Sequence, residues 1–467
     1  MQHLNRGMMG RYEIPERFPA KVNAVQFGLG ERLLGVVDAR IDAAQAGVGI
    51  AALDTGARHD GQSPADGIGP AALLREQDGM YTVFTRGYLG EQPVNREEVA
   101  QAILRLPESV EAIAAEPSIA LAILDADAPD ADAALAMAAE FLSLRREAGL
   151  GGLDFLCVSE CADTADAVRS GIIARDPSLE GFLAEACAFY PALADGIALR
   201  AEAKEAARLC QAMNYADGMI HLAEPGATLT VAAPSGFRAR WPLDGADGVA
   251  FTDDLAPFVE RKRRLFDAGL CLLAAPGWLL GLNTLSDCMK RDALRAFVGR
   301  AYMEELLPQD GAARAADAPY VIRAFERFEN PLNDNALLRV AAPLIRRLRQ
   351  SALPLIRQWA AEKFEPPRRL AFALAAAIML YAGARPNGKG RYEVLRGNEI
   401  HRLDDDPAAL ALFATLSHDM PPEALAYAAL ADRELWGEDL REIDGLEARV
   451  ALDIANMQRN PKYLPEE

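Results

Sequence analysis

The chain is poor in the residues on which metal and disulfide chemistry depend. Six cysteines and five histidines are spread over 467 residues. No CxxC pair is present, and no Cys/His cluster has the spacing of a metal site. We therefore assign no metal ion and interpret the cysteines as reduced thiols of a cytoplasmic protein.

Positive charge is also scarce, with 49 Lys and Arg against 68 Asp and Glu and a formal net charge of −19. Binding to nucleic acid or to an anionic membrane surface needs a basic face, so neither partner is expected. The first residues contain no apolar segment typical of a signal peptide. The longest apolar run, residues 370–384, is shorter than the roughly 20 residues that span a bilayer, and it predicts a buried helix.

Length and a hydrophobic fraction of 51% are sufficient for two domains. In the first half, compact apolar runs alternate with helix-like segments, which is typical of a doubly wound parallel sheet. The strands are predicted at residues 22–27, 48–53, 81–87, 118–125 and 153–160, and the helices between them include residues 31–45, 96–106 and 130–149. From about residue 253 the periodicity is mainly helical.

The predicted fold class is therefore α/β plus all-α. A Rossmann-like dinucleotide-binding domain is expected over residues 1–250, followed by a mainly helical substrate-binding domain over residues 251–467. The turn-rich segment WPLDGADG, residues 241–248, is the predicted linker.

The segment AVQFGLGERLLG places glycines between a predicted strand and a predicted helix. Gly28 permits the tight turn, Gly30 lets the backbone approach a pyrophosphate, and Gly35 allows close helix–strand packing. The spacing is longer than GxGxxG, so an ordinary strand-to-helix turn is the alternative. Asp54, at the end of the second strand, favours binding of the NAD ribose, whereas Arg58 nearby would suit the 2′-phosphate of NADP.

The segment FVERKRRLFDAGLCLLAAPGW carries a candidate acid and base, Lys262. On a helix, this lysine shares a face with Phe266, Gly269 and Leu270, so the face becomes apolar one turn later. A lysine exchanges protons near neutral pH when burial disfavours its charged form, and its ammonium can then protonate a developing alkoxide. The alternative is a solvated charge at the basic end of an amphipathic helix.

Several segments, taken together and in order, resemble the long-chain polyol and mannitol dehydrogenase family, in its tagaturonate reductase (altronate oxidoreductase) branch. The segments are VQFGLGERLLGVVD, LLREQDGMYTVFTRG, DDLAPFVERKRRL, RFENPLNDNALLRVAAPLIRRLRQSALPLI and RRLAFALAAAIMLYAGARP. The resemblance implies metal-independent, NAD(P)-dependent reduction of a keto-hexuronate or ketose to the hexonate or polyol. NAD is the expected cofactor and NADP the alternative. A small sugar acid or polyol is the expected partner, and the chain is expected to act as a monomer or small homo-oligomer.

The resemblance also implies site residues. Lys262 matches the family's proton-donating lysine. Asp267 stands where the family has asparagine, and Leu270 where it has histidine. We assign Asp267 to the catalytic group, although a carboxylate there would repel a developing alkoxide unless it were protonated. Asn335, which replaces another family histidine, and Arg339 are assigned to substrate binding.

Within the same segments, Glu31, Arg32 and Asp78 join Gly28, Gly30 and Asp54 as predicted cofactor-binding residues. The departures leave two hypotheses open: a dehydrogenase with a changed substrate, or a catalytically altered dinucleotide-binding relative that lacks the family's sugar chemistry. Several arginines near the lysine and asparagine segments either pair with a substrate carboxylate or are solvated helix charges: Arg261, Arg263, Arg264, Arg327 and Arg339. His221 is expected to be a structural histidine.

Overall fold

The structure is a computed structural model that describes residues 1–56, 69–90, 92–331, 336–387 and 391–465. By its internal contacts the chain divides into two compact units, Met1–Val259 and Glu260–Glu467. No helix among the described residues is both long enough and apolar enough to cross a bilayer.

The first unit contains β-strands from residue 24 to residue 252. They are β1 (Ala24–Phe27), β2 (Ile50–Leu53), β3 (Tyr81–Leu89), β4 (Gln92–Ala100), β5 (Ile103–Arg105), β6 (Leu121–Asp125), β7 (Asp154–Val158), β8 (Ala188–Asp195), β9 (Ala198–Arg200), β10 (His221–Ala223), β11 (Thr228–Ala232) and β12 (Val249–Thr252). Its helices are α1 (Ala39–Ala44), α2 (Pro70–Glu76), α3 (Glu111–Ala114), α4 (Ala131–Glu147), α5 (Thr164–Arg175), α6 (Glu180–Ala186), α7 (Ala203–Met213) and α8 (Ser235–Arg240). A π-helical turn, Leu33–Asp38, precedes α1.

Within the described residues, eight of these strands form one sheet in the order β12-β11-β8-β7-β6-β1-β2-β5. All neighbours in it are parallel except β8 and β11. The chain runs outward from β1 on one side, then returns to continue with β6 on the other. That reversal creates a switch point at the carboxyl ends of β1 and β6, where α/β proteins bind ligands. The predicted Rossmann-like fold is confirmed.

Both faces of this sheet are covered, which explains why its strands are continuous apolar runs. The residues of β1 divide between two buried clusters: Ala24 packs with the π turn, while Val25 and Phe27 pack with α3, α4 and α5. Alternate residues of a strand point to opposite faces, so Gln26 lies on the same side as Ala24.

A second sheet, in the order β4-β3-β10-β9, corrects two predictions. Residues 81–87 are a strand as predicted, but β3 belongs to this sheet and pairs antiparallel with β4. The helix predicted over residues 96–106 is wrong, because most of that segment forms β4 and β5. Long-range pairing along the whole length of β3 outweighs the local helical preference of this alanine- and glutamate-rich segment.

The linker predicted over residues 241–248 is also wrong. Trp241 and Leu243 are buried in the first unit's core, and β12 extends the main sheet directly after them. The division between the units falls instead within the helix α9 (Ala256–Lys262). The assignment of dinucleotide binding to one unit and substrate binding to the other stays a prediction.

The second unit is mainly helical, as predicted. Its helices are α10 (Ala268–Leu279), α11 (Leu285–Lys290), α12 (Asp292–Ala301), α13 (Gly311–Glu329), α14 (Leu337–Ala341), α15 (Leu344–Arg347), α16 (Leu353–Lys363), α17 (Arg368–Tyr381), α18 (Pro407–Phe413), α19 (Pro422–Leu430), α20 (Arg433–Trp436) and α21 (Leu446–Arg459). Three π-helical turns interrupt them: Arg263–Asp267, Tyr302–Leu306 and Leu348–Ala352. The apolar run at residues 370–384 is the buried helix α17 and the turn that follows it.

A small antiparallel sheet in this unit was not predicted. It consists of β13 (Arg385–Pro386), β14 (Tyr392–Arg396) and β15 (Glu399–Leu403). The two longer strands pair over five residues each, on either side of a turn at Gly397, which has a left-handed φ of 61°. The dipeptide Gly397-Asn398 between two short segments is a hairpin signal that the sequence does contain.

Candidate active site

The candidate catalytic lysine and its partner are placed by a π-helical turn. Lys262 ends α9, the π turn Arg263–Asp267 follows, and α10 continues the helix. In a regular α-helix, residues five apart point about 140° away from each other. The wider π turn reduces that angle, and Lys262 Nζ lies 2.9 Å from both carboxylate oxygens of Asp267.

A third charged residue completes the cluster. Arg347, the last residue of α15, donates from Nη1 to Oδ1 of Asp267. The side chains of Lys262, Asp267 and Arg347 are only 5%, 3% and 12% exposed. One carboxylate is thus held between two cations in a buried environment, and the trio formally carries one net positive charge. We call Lys262, Asp267 and Arg347 the charged trio.

The surroundings of the lysine are apolar. Phe266 stacks on Phe328 with ring centroids 5.2 Å apart, and Lys262 Nζ is 5.9 Å from the Phe266 centroid. Leu270, one turn further, is 1% exposed. Lys262 as a whole is 4% exposed, so of the two alternatives that the sequence left open, the structure has the buried lysine and not the solvated charge.

Tyr302 supports the π turn that carries Asp267. Its hydroxyl donates to the carbonyl oxygen of Leu265 inside that turn. Burial raises the pKa of Tyr302, with Arg327 lowering and Asp267 raising it further, so the hydroxyl stays a donor. The contact requires a glycine at position 269, because a Cβ there would lie 2.1 Å from the tyrosine oxygen.

The glycine turn of the first unit lies between β1 and the start of a helix, as the sequence predicts. Gly28 follows β1 with a φ of 105°, a conformation that favours glycine, and its N–H donates to Leu53 O at 2.9 Å. A helix begins at residue 31, directly after Gly30, so its first N–H groups lie beside the turn. Gly35 allows close packing as predicted, since a Cβ on it would lie 2.5 Å from the Cβ of Ala198.

Arg32 is occupied by carboxylates at the same edge of the sheet. Its guanidinium lies 3.1 Å from Asp125, 3.4 Å from Asp127 and 3.3 Å from Glu160. Burial lowers the pKa of Arg32, but the three acidic side chains outweigh it and raise the pKa overall. Burial also raises the pKa of Asp125 to about 6, against the lowering effect of Arg32. Arg32 therefore organises the carboxyl ends of β6 and β7.

The other predicted cofactor residues are scattered. Glu31 Oε1 accepts from the N–H of Arg200 at 2.7 Å, which ties the helix start to β9. Asp54 lies at the carboxyl end of β2 and accepts from the N–H of Gly56 at 2.9 Å. Asp78 precedes β3 of the second sheet and accepts from the backbone N–H of residue 6 at 2.9 Å. Asp78 therefore lies next to a strand of the second sheet, whereas Gly28 follows a strand of the main sheet.

The predicted substrate residues are only partly described. Asn335, like Arg58 of the first unit, lies outside the described residues. Arg339 lies on α14 and is half-buried. Three of the neighbouring arginines have structural contacts. Arg264 bonds to Asp317 at 2.7 Å, and Arg261 lies 3.6 Å from the same carboxylate. Arg327 lies 3.4 Å above the Phe266 ring.

His221 is a structural histidine, as expected. It is 1% exposed, its Nδ1 lies 2.8 Å from Met219 O, and its ring packs edge-on against Tyr81.

Sequence reasoning missed Arg347 and Tyr302. Arg347 stands in the run RRLRQ, so a basic residue was visible, but the sequence does not show which arginine of the run faces Asp267. The sequence does not point to Tyr302, because its hydroxyl donates to a backbone carbonyl of a π turn that the sequence does not reveal.

Comparison with known proteins locates a domain around the charged trio. Residues 254–458 match the mannitol dehydrogenase C-terminal domain. Altronate oxidoreductase of Cronobacter sakazakii is 30% identical over 279 residues, which cover 58% of this chain and 56% of that protein. The same-named protein of Bacteroides thetaiotaomicron is 26% identical over 276 residues. The match spans about half the length of these curated relatives.

Two solved structures share the fold. Mannitol 2-dehydrogenase of Pseudomonas fluorescens, in a ternary complex with NAD and D-mannitol, superposes with a TM-score of 0.77 at 17% identity, covering 99% of this chain and 98% of that one. D-sorbitol dehydrogenase in substrate-free form superposes with a TM-score of 0.66 at 16% identity, covering 99% of both chains. The resemblance inferred from the sequence is thus confirmed: residues 254–458 are similar to the mannitol dehydrogenase C-terminal domain, and the chain has the fold of these two dehydrogenases.

Proposed function

We propose that the protein is an NAD(P)-dependent oxidoreductase that interconverts a keto-hexuronate and the corresponding hexonate, or a ketose and its polyol. The charged trio carries this proposal. The hydrogen bonds to the carboxylate hold the buried lysine in one position, and its ammonium group can donate a proton to a substrate oxygen. The relatives named altronate oxidoreductase, and the mannitol 2-dehydrogenase solved in complex with NAD and D-mannitol, support the same reaction class.

The first unit fits a dinucleotide. The glycine turn lies at the switch point of the main sheet, the helix start supplies backbone N–H groups for a pyrophosphate, and Asp54 stands at the end of β2 for the ribose hydroxyls. When bound, the nicotinamide supplies a hydride to the substrate carbonyl carbon or accepts one from the alcohol carbon. Asp54 favours NAD, with NADP as the alternative.

Lys262 is the proposed proton donor. During reduction, negative charge develops on the substrate oxygen, and the ammonium of Lys262 gives it a proton. In the oxidation direction, neutral Lys262 takes the hydroxyl proton. Asp267 orients the lysine through both of its oxygens.

Arg347 answers the objection that Asp267 has the wrong charge. A lone carboxylate beside the reacting oxygen would oppose an alkoxide. Its pairing with Arg347 leaves the trio with a net positive charge, which favours an oxyanion and also suits a substrate that carries a carboxylate. This balance of charges favours a keto-acid over a neutral ketose.

A second candidate is a dinucleotide-binding relative without sugar chemistry. Two observations favour it. Lys262 already donates to both oxygens of Asp267, and Leu270 is apolar at a position where the family has histidine. This candidate binds the cofactor but does not turn it over.

The test is oxidation of NADH and NADPH, followed by absorbance, over a panel of keto-hexuronates and ketoses. Lys262→Ala is compared with Lys290→Ala, an exposed lysine on α11 that serves as the matched control. Turnover that is lost in Lys262→Ala and kept in Lys290→Ala supports the proposal. Cofactor binding without turnover on any substrate supports the second candidate, and turnover unaffected by Lys262→Ala contradicts the role of the lysine.

A further inference from the structure

A buried amide on β1 lies directly beneath the glycine turn. Gln26 is 0% exposed, although its neighbours along the strand are apolar and equally buried. An uncharged but strongly polar side chain at such a position is costly unless it is hydrogen-bonded. Gln26 lies on the face of β1 that packs against the π turn Leu33–Asp38.

The amide nitrogen of Gln26 joins the turn to a carboxyl group. Its Nε2 donates to Gly28 O at 3.1 Å and to Asp38 Oδ2 at 3.2 Å. Asp38, the last residue of the π turn, is itself 0% exposed. Gln26 Oε1 and Asp38 Oδ1 have no hydrogen-bond partner among the described residues. Among the described residues, the side chain of Asp38 therefore forms one hydrogen bond, which it accepts from Gln26.

Titratable groups surround this pair from α1, from the segment before β1 and from the second sheet. Asp42 lies one turn further along the helix and is paired with Arg17 at 3.1 Å. From the second sheet, the Tyr81 hydroxyl donates to Leu34 O at 2.8 Å, and the ring of His221 packs against Tyr81.

Burial favours the neutral form of the Asp38 carboxyl. Burial raises the pKa of this carboxyl to about 8, with the hydrogen bond from Gln26 lowering it and the charge of Asp42 raising it. The neutral acid accepts from Gln26 without placing a charge beneath the turn. Loss of the proton introduces a buried anion one amide group away from the Gly28 carbonyl.

We propose that Gln26 and Asp38 are positioning residues of the dinucleotide site: neutral Asp38 holds Gln26, Gln26 fixes the carbonyl of Gly28, and ionised Asp38 weakens binding of the anionic dinucleotide. The inference rests on the proposed function and adds to its cofactor site two residues that the sequence did not single out. A pyrophosphate at the glycine turn carries two negative charges, so an anion beneath the turn opposes it through a poorly screened interior.

The experiment is a fluorescence titration of the full chain with NADH between pH 6.5 and pH 9.5. For the wild type, the Kd is expected to rise roughly tenfold over this range, because ionised Asp38 adds one buried negative charge beneath an anionic ligand. Asp38→Asn keeps the acceptor and removes the acid, so its Kd stays flat at the low-pH value. Gln26→Met, of similar size, weakens binding at every pH and moves the rise in Kd to higher pH, because the hydrogen bond that lowers the pKa of Asp38 is lost.

Asp42→Asn is the matched control, because this acid lies on the same helix but bonds to Gln101 N and Arg17 instead of Gln26. The Asp42→Asn protein is expected to keep the rise in Kd. The midpoint of the rise should move to lower pH, because the charge of Asp42 raises the pKa of Asp38. An Asp38→Asn profile that coincides with that of the wild type overturns the inference while leaving cofactor binding intact. A folded wild type that binds no NADH at any pH overturns the proposed function and this inference with it.

Discussion

Lys262 Nζ is equidistant from the two carboxylate oxygens of Asp267, at 2.9 Å from each, although five residues separate the pair along the chain. The π turn between them makes this contact possible, and Arg347 binds the same carboxylate from α15. Asp267, which stands where the family has asparagine, is therefore paired with two cations. The cluster fixes the position of the lysine and formally carries a net positive charge.

Removing the carboxylate should strongly destabilise the second unit. Asp267→Ala leaves two buried cations facing each other, and breaking a buried pair in this way costs about 3–5 kcal/mol. Glu438→Ala is the control, because the Glu438–Arg357 pair is 40% and 38% exposed and should contribute about 0–1 kcal/mol. Urea unfolding followed by circular dichroism measures both. Equal shifts for the two variants would argue against a stabilising trio.

Tyr302→Phe should weaken the π turn that carries Asp267. The substitution removes the donor to Leu265 O and leaves that carbonyl buried without it, at an expected cost of about 1–3 kcal/mol in the free energy of unfolding. Tyr88→Phe, at an exposed position, is the control and should change little. Thermal unfolding compares the two, and a Tyr302→Phe protein as stable as the wild type would contradict the support assigned to this hydroxyl.

Gly35→Ala should destabilise the first unit. The added Cβ would lie 2.5 Å from the Cβ of Ala198, so β9 and the π turn must separate, at an expected cost of about 1–3 kcal/mol. Gly299→Ala makes the opposite prediction: nothing lies within 4 Å of a Cβ on this residue of α12, and alanine should stabilise the helix by about 0.5–1 kcal/mol. The two melting temperatures should move in opposite directions.

Asp453 predicts a pH dependence of stability. The residue is 0% exposed on α21, and neither carboxyl oxygen has a hydrogen-bond partner among the described residues. Burial raises the pKa of Asp453 from 3.8 to about 7, although Arg449 and Arg368 lower it. Because the folded state holds the proton more tightly, the stability contributed by this group is complete below pH 3.8 and is lost as the pH rises to about 7.

Asp453→Asn should remove that loss. The variant is expected to unfold like the wild type near pH 4 and to be more stable by about 2–4 kcal/mol at pH 8. Asp444→Asn, an exposed position just before α21, should show no such gain. Denaturation curves at the two pH values provide the measurement, and a gain that is the same at both would show that burial of the charge is not its cause.

The sequence was informative wherever burial alone decides structure. The apolar runs of β1, β2, β6 and β7 and the buried helix α17 were found because a segment covered on both faces has few polar residues. β4 was mistaken for a helix, since its pairing with β3 is a contact that no local pattern records. Lys262 was found from its segment, but the contact between Asp267 and Arg347, 80 positions apart, depends on two helices and a π turn.

The most direct test of the account is the turnover of a keto-hexuronate by four proteins: wild type, Arg347→Gln, Asp267→Asn and the double variant. If Arg347 neutralises Asp267 beside the proton donor, Arg347→Gln lowers kcat by about 100-fold, and Asp267→Asn, which restores the family's amide, retains activity. The double variant should then be more active than Arg347→Gln, because the unbalanced carboxylate is gone. A full kcat in Arg347→Gln, or a double variant no better than it, would contradict the central role of the charged trio.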